Sequence, residues 1–121
     1  MRTTKGVDLF DVANQEWDAG RLRKALDLFR EAAESGVKYA YNSLAYFYDN
    51  GLGTRVDKRQ ALYWYRRGAR AGDACAYANL AICYREQGKR ALALRWFRRA
   101  VDRGDGDSAL ELAKMYLGSL R

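Results

Sequence analysis

One pattern occurs three times in this 121-residue sequence. ALDLFREAAESG at 25–36, ALYWYRRGARAG at 61–72 and ALRWFRRAVDRG at 93–104 share one reading: Ala-Leu, a variable residue, Leu or Trp, an aromatic, Arg, then a terminal Gly. The apolar positions fall at i, i+1, i+3, i+4 and i+7, one face of an α-helix. Gly36, Gly72 and Gly104 stand just past each pattern, where a left-handed residue ends a helix. The chain contains no proline, so glycine has to end its segments.

A second unit follows each glycine at a fixed distance. Leu44, Leu80 and Leu112 come eight residues later, each followed by Ala (45, 81, 113), and Tyr48, Tyr84 and Tyr116 come twelve later. Leu, Ala and Tyr at i, i+1 and i+4 share a helical face, and the alanine allows close helix approach. A weaker copy opens the chain, with Val12 and Ala13 in the Leu-Ala places and Glu16 where tyrosine is expected. The pattern predicts helices near 8–19, 21–35, 38–50, 57–71, 74–87, 89–103 and 106–118. No helix of a pair can bury its apolar face alone, so the pairs must stack into a solenoid. A single domain over 1–121 is expected, with repeats at about 7–36, 37–72 and 73–104 and a partial repeat at 105–121.

These residues carry a resemblance. Leu80, Ala81, Tyr84, Gly88, Ala93, Phe97 and Ala100 resemble the tetratricopeptide repeat, as do Val12, Ala13, Gly20, Ala25, Phe29 and Ala32. Thirteen residues separate Tyr48 from Ala61, against nine between Tyr84 and Ala93, and the extra four fall in GLGTRVDKRQA. That stretch is similar to the Sel-one-like repeat: Gly51, Gly53, Asp57, Ala61, Trp64 and Tyr65 match, while Thr54 and Gln60 depart from its pattern. The resemblance implies an all-α, right-handed solenoid of antiparallel helix pairs, three pairs plus a terminal helix. It places the first helices along a concave groove and the second helices on the convex back, and it implies a role in holding other proteins or peptides.

Carrying over the family's ligand-facing positions gives a groove of Val7, Phe10, Asn14, Trp17, Tyr39, Asn42, Tyr46, Asp49, Cys75, Ala78, Asn79, Ile82, Arg85, Leu110 and Lys114. Rings supply contact area and amides pair with an extended backbone, so a peptide suits this lining. The alternative is that Phe10, Tyr39 and Ile82 fill space between helices. The family's carboxylate clamp is not reproduced: Asn14 fits it, but Phe10, Ser43, Cys75 and Asn79 stand where other clamp residues would be.

Net charge is +7, and residues 55–103 hold thirteen Lys/Arg against four Asp/Glu. Arg66, Arg67, Arg70, Arg95, Arg98, Arg99 and Arg103 fall opposite the packing face, and the first unit places Asp27, Arg30, Glu31 and Glu34 there. The architecture therefore does not demand arginine, and the seven are expected to merge into one convex patch. A solvated face is the plain reading, and an acidic partner or nucleic acid the functional one. No aromatic is expected exposed among them, which disfavours stacking on single strands. Trp64 and Trp96 are expected between neighbouring pairs.

Catalysis finds little to work with. The chain has no histidine, the usual general base and commonest transition-metal ligand. Cys75 and Cys83, eight apart on one helix, lie about 12 Å apart along its axis, too far for a disulfide. Cys83 reads as a core thiol, and two cysteines alone make a poor metal site. GLGTRVD lacks the Gly-Lys-Ser/Thr ending of a phosphate loop, so its glycines read as turn formers and Asp57 as a helix cap. The expectation is a non-enzymatic, cytoplasmic module without cofactor, membrane span or secretory signal, its partner a protein segment or a second copy of itself.

Overall fold

The computed structural model of the protein describes residues 5–118, and side chains from residue 8 onward. Seven helices fill that range: α1 (Lys5–Asp18), α2 (Leu22–Glu34), α3 (Ala40–Asn50), α4 (Lys58–Arg70), α5 (Ala74–Glu86), α6 (Arg90–Asp102) and α7 (Gly106–Gly118). No strand occurs among the described residues. Each helix packs on its neighbours in the chain, within pairs (α1 on α2, α3 on α4, α5 on α6) and between them (α2 on α3, α4 on α5, α6 on α7). The result is a helical-repeat solenoid.

The core is the repeat written in space. Ala25, Ala61 and Ala93 are fully buried, as are Ala13, Ala45 and Ala81, and Phe29, Tyr65 and Phe97 lie beneath them at 0–1% exposure. Leu44 and Leu80 are sealed between pairs, whereas Leu112 on α7 is half-buried and Ala113 is exposed, since among the described residues no second helix covers α7. Gly68 takes the place held by Ala32 and Ala100; a Cβ there would stand 3.0 Å from the Ala76 Cβ, so α4 and α5 approach as closely as side chains allow.

Polar contacts finish the helix ends. Asp57 caps α4 by accepting from the Gln60 N–H at 3.1 Å, Asp73 caps α5 through the Cys75 N–H at 2.9 Å, and Asp105 accepts from the Asp107 N–H at 3.2 Å. Trp64 and Trp96 do not sit between neighbouring pairs as expected. Each rests inside its own pair, on Tyr41 (5.6 Å) and Tyr77 (5.6 Å), because the tyrosine that opens each first helix faces the second helix of the same pair.

The four extra residues of the α3–α4 loop have a packing role. Gly53 has φ +71°, and a Cβ there would lie 2.6 Å from the Leu22 carbonyl oxygen and 2.9 Å from the Arg23 Cα, so the loop lies directly on the backbone that starts α2. Gly20 also has a positive φ, +82°, but open space around it. Gly20→Ala should therefore cost about 1 kcal/mol, the left-handed conformation alone. Gly53→Ala should cost about 2–4 kcal/mol, since backbone must also move. Urea unfolding of the two variants checks this; equal costs would mean the loop does not touch α2.

Candidate functional site

The first helices bring their exposed faces to one cavity of about 550 Å³. Trp17 enters from α1, Asn42, Ser43 and Tyr46 from α3, Ala74, Cys75, Ala78 and Asn79 from α5, and Arg103, Gly104 and Asp105 from the α6–α7 turn. Trp17 stands edge-on to Phe47 (5.0 Å) and Phe29 (6.0 Å) and tilts over Tyr46 at 5.9 Å, which fixes one wall. Tyr46 keeps 39% of its surface open. Across the floor the Asn79 side-chain amide donates to the Asn42 carbonyl at 3.1 Å, joining two repeats. A short-range pattern cannot announce this pair, whose members lie 37 residues apart.

The other expected groove residues are committed elsewhere. Phe10 and Tyr39 stack edge-on at 4.7 Å, and Asn14 donates to the Phe10 carbonyl at 3.1 Å within α1. Asp49 accepts from the Tyr65 hydroxyl at 3.1 Å and pairs with Lys58, bracing the inserted loop against α4. Burial, and then the Asp49 charge, push the Tyr65 phenol far above its ordinary range, so it remains a donor. Ile82 packs against the core. Arg85 crosses to Glu111 of α7 at 2.6 Å and covers the Phe97 ring at 5.2 Å, and its hydrogen bond holds the Glu111 carboxyl below the usual range. Lys114 pairs with the same Glu111, Leu110 is exposed, and neither lines the cavity. Val7's side chain lies outside the described residues.

The arginines depart most from expectation. Arg66 donates through Nε to the Tyr84 hydroxyl at 3.1 Å, and Arg98 hydrogen-bonds the Tyr116 hydroxyl. Arg30 does the same to Tyr48 at 3.0 and 3.1 Å. In each case a second helix is latched to the next first helix across 18 residues, so the architecture uses arginine at this position after all. Glu16, which replaces the tyrosine in the first pair, is bonded instead by Arg21 of the adjacent turn. Arg67 lies 4.9 Å over the Tyr41 ring and 5.2 Å over Trp64, and Arg99 lies 4.6 Å over Trp96. Arg103 leaves the convex set altogether: it donates to the Gly72 carbonyl at 3.0 Å and lines the concave cavity. The remaining six lie three on α4 and three on α6. An aromatic does stand among them, because Tyr63, one turn before Arg66 and Arg67, is 51% exposed.

Among the described residues there is no group of three or more Cys, Asp or Glu placed to hold a metal ion, and no helix long and apolar enough to cross a membrane. The two thiols differ sharply. Cys75 is exposed on the cavity wall, its pKa raised by partial burial and then by Asp73 and Asp105. Cys83 is buried, and desolvation followed by the charges of Asp49 and Glu86 pushes it up to about 12. An aromatic disulfide reagent at mildly alkaline pH should titrate Cys75 alone in the native protein and reach Cys83 after denaturation. The reverse order would overturn the placement of α5.

Comparison with known proteins agrees with this architecture. The Sel1 repeat family model matches residues 22–37, 38–73 and 76–105. A Sel1 repeat protein from Oxalobacter formigenes superposes with a TM-score of 0.79 at 28% identity, covering 92% of this chain and 49% of that one. A protective antigen of uropathogenic Escherichia coli displaying an SLR fold gives 0.83 at 29%, covering 95% and 26%. The chain thus spans about half and about a quarter of those two proteins. The N-terminal domain of stress-induced protein-1 from C. elegans shares the fold, with a TM-score of 0.70 at 17% identity over 92% of this chain and 94% of that domain. Proteins built from such repeats are in general non-catalytic modules of protein–protein interaction. With its matched segments covering α2, the α3–α4 pair and nearly all of the α5–α6 pair, the chain belongs to the Sel1 repeat family.

Proposed function

We propose that the protein binds an extended segment of a partner protein in its concave cavity, without catalysis. The observation that carries this reading is the lining: an anchored Trp17, a half-open Tyr46 and a cross-repeat Asn42–Asn79 pair face one space of about 550 Å³. Aromatic rings held by neighbours supply contact area at little entropic cost. The asparagine pair leaves one amide N–H₂, on Asn42, and one carbonyl, on Asn79, without a partner among the described residues. Such groups match the alternating donors and acceptors of an extended backbone. Arg103 and Asp105 at the far end put one charge of each sign beside the cavity.

Selection from a random-peptide library at about 0.15 M salt, where exposed charges more than about 8 Å apart are largely screened, tests the reading. Selected peptides should lose about tenfold or more in affinity for the Tyr46→Ala/Asn42→Ala variant, the loss expected when a contact ring and a paired amide are removed. The thermal unfolding midpoint should fall only modestly, by the loss of one partly exposed cross-repeat hydrogen bond and of the Tyr46 contact with Trp17, and leave the protein folded at assay temperature. Peptides that bind the variant as well as the parent would refute the cavity as the site.

A further inference from the structure

The outward face of α4 carries a second site. We propose that the cleft formed by Tyr63, Arg66, Arg67 and Arg70 docks an acidic, Asp/Glu-rich segment of a partner protein. The cleft measures about 270 Å³ and receives no residue from the concave cavity, so this inference does not depend on the function proposed above.

Charge is the first argument. Among the described residues, no carboxylate lies within ion-pair distance of Arg66, Arg67 or Arg70; the seven ion pairs present all involve other side chains. Three guanidinium groups within two turns of helix, none compensated, form an anion site rather than a salt-bridged surface. Geometry is the second. Arg67 is held by the Tyr63 hydroxyl at 3.1 Å and the Tyr41 hydroxyl at 3.3 Å, and Arg66 by the Tyr84 hydroxyl at 3.1 Å. These contacts fix the side chains before any ligand arrives, while the Arg66 Nη atoms and the whole Arg70 fork stay free to donate. A neighbouring hollow of about 410 Å³, lined by Asp57, Arg59, Gln60 and Tyr63, prolongs the cleft toward the start of α4. From Arg59 to Arg70 the helix rises about 16 Å, the reach of about five extended residues.

The same features choose among anions. A single nucleic-acid strand is held in a groove that tracks its backbone and by rings free to stack. Here the Tyr63 ring already meets Trp64 edge-on at 5.0 Å and bonds Arg67 through its hydroxyl, so it is not free to stack on bases. A second copy of the chain is disfavoured by the net charge of +7 that each copy carries. Carboxylates on a protein strand fit the fork geometry and the size of the cleft.

Fluorescence anisotropy with a labelled glutamate decamer tests this, against a glutamine decamer and a ten-residue oligothymidylate of the same label. The glutamate peptide should bind at about 0.05 M salt and weaken by about 0.3 M, and the glutamine peptide should not bind. Arg66→Gln/Arg70→Gln should weaken binding about tenfold, while Arg95→Gln/Arg99→Gln, removing equal charge from α6, should change it less than about twofold. Arg70→Gln alone, at a side chain with no hydrogen bond or ion pair among the described residues, should still cost about threefold, which separates lost docking from lost folding. Absence of glutamate binding, or equal loss on α4 and α6, would overturn the cleft. Tighter binding of oligothymidylate would overturn the choice of occupant.

Discussion

Contact between one helix pair and the next is what the rest of this structure rests on. A two-helix unit of this length has too little interior to hold itself together, and burial of Leu44 and Leu80 happens when the following pair closes over the preceding one. The close approach at Gly68 and Ala76 sets the spacing of that contact, and the arginine–tyrosine latches set its register. Through these contacts the exposed residues of α1, α3 and α5 meet around a single cavity, although no two of those helices follow one another in the chain.

Most of the architecture can be read from the sequence because its determinants are local. Helical periodicity and seven positive-φ glycines mark where segments run and stop, and the observed helices begin and end within three residues of the expected positions. The Asp57 cap is legible for the same reason. The cavity is legible in part: Trp17, Asn42, Tyr46 and Asn79 stand at positions the resemblance marks as ligand-facing. Asp49 and Arg85 share that register but are drawn off by Lys58, Tyr65 and Glu111, partners 9 to 26 residues away. Arg103 lies one turn beyond Arg99 and reads as part of the same face, and nothing nearby in the chain reveals the Gly72 carbonyl it meets.

The arginines show how grouping residues by charge can hide a structural column. Taken as a set, Asp27, Arg30, Glu31 and Glu34 make the back of the first unit look free to vary. Taken position by position, Arg30, Arg66 and Arg98 all stand six residues before the helix-ending glycine, and all three bond a tyrosine hydroxyl in the following pair. What does vary is the flanking positions: Glu31 and Glu34 of the first unit give way to Arg67 and Arg70 in the second. The fold explains one arginine per repeat, and the others give the middle of the molecule its own surface chemistry.

The latch also says where this chain can change length. Arginine and its tyrosine are 18 residues apart at every junction, whereas the stretch from one latch to the next is 18 residues between Tyr48 and Arg66 and 14 between Tyr84 and Arg98. The whole difference between the two kinds of repeat falls outside the latched span. The α1–α2 and α5–α6 turns are therefore the permissive sites, where residues can be added and grafted loops presented without disturbing how pairs join, while the α3–α4 turn is held against α2 at Gly53. Turns between pairs are not: one inserted residue there would rotate the tyrosine by about 100° around its helix and carry it out of the guanidinium's reach.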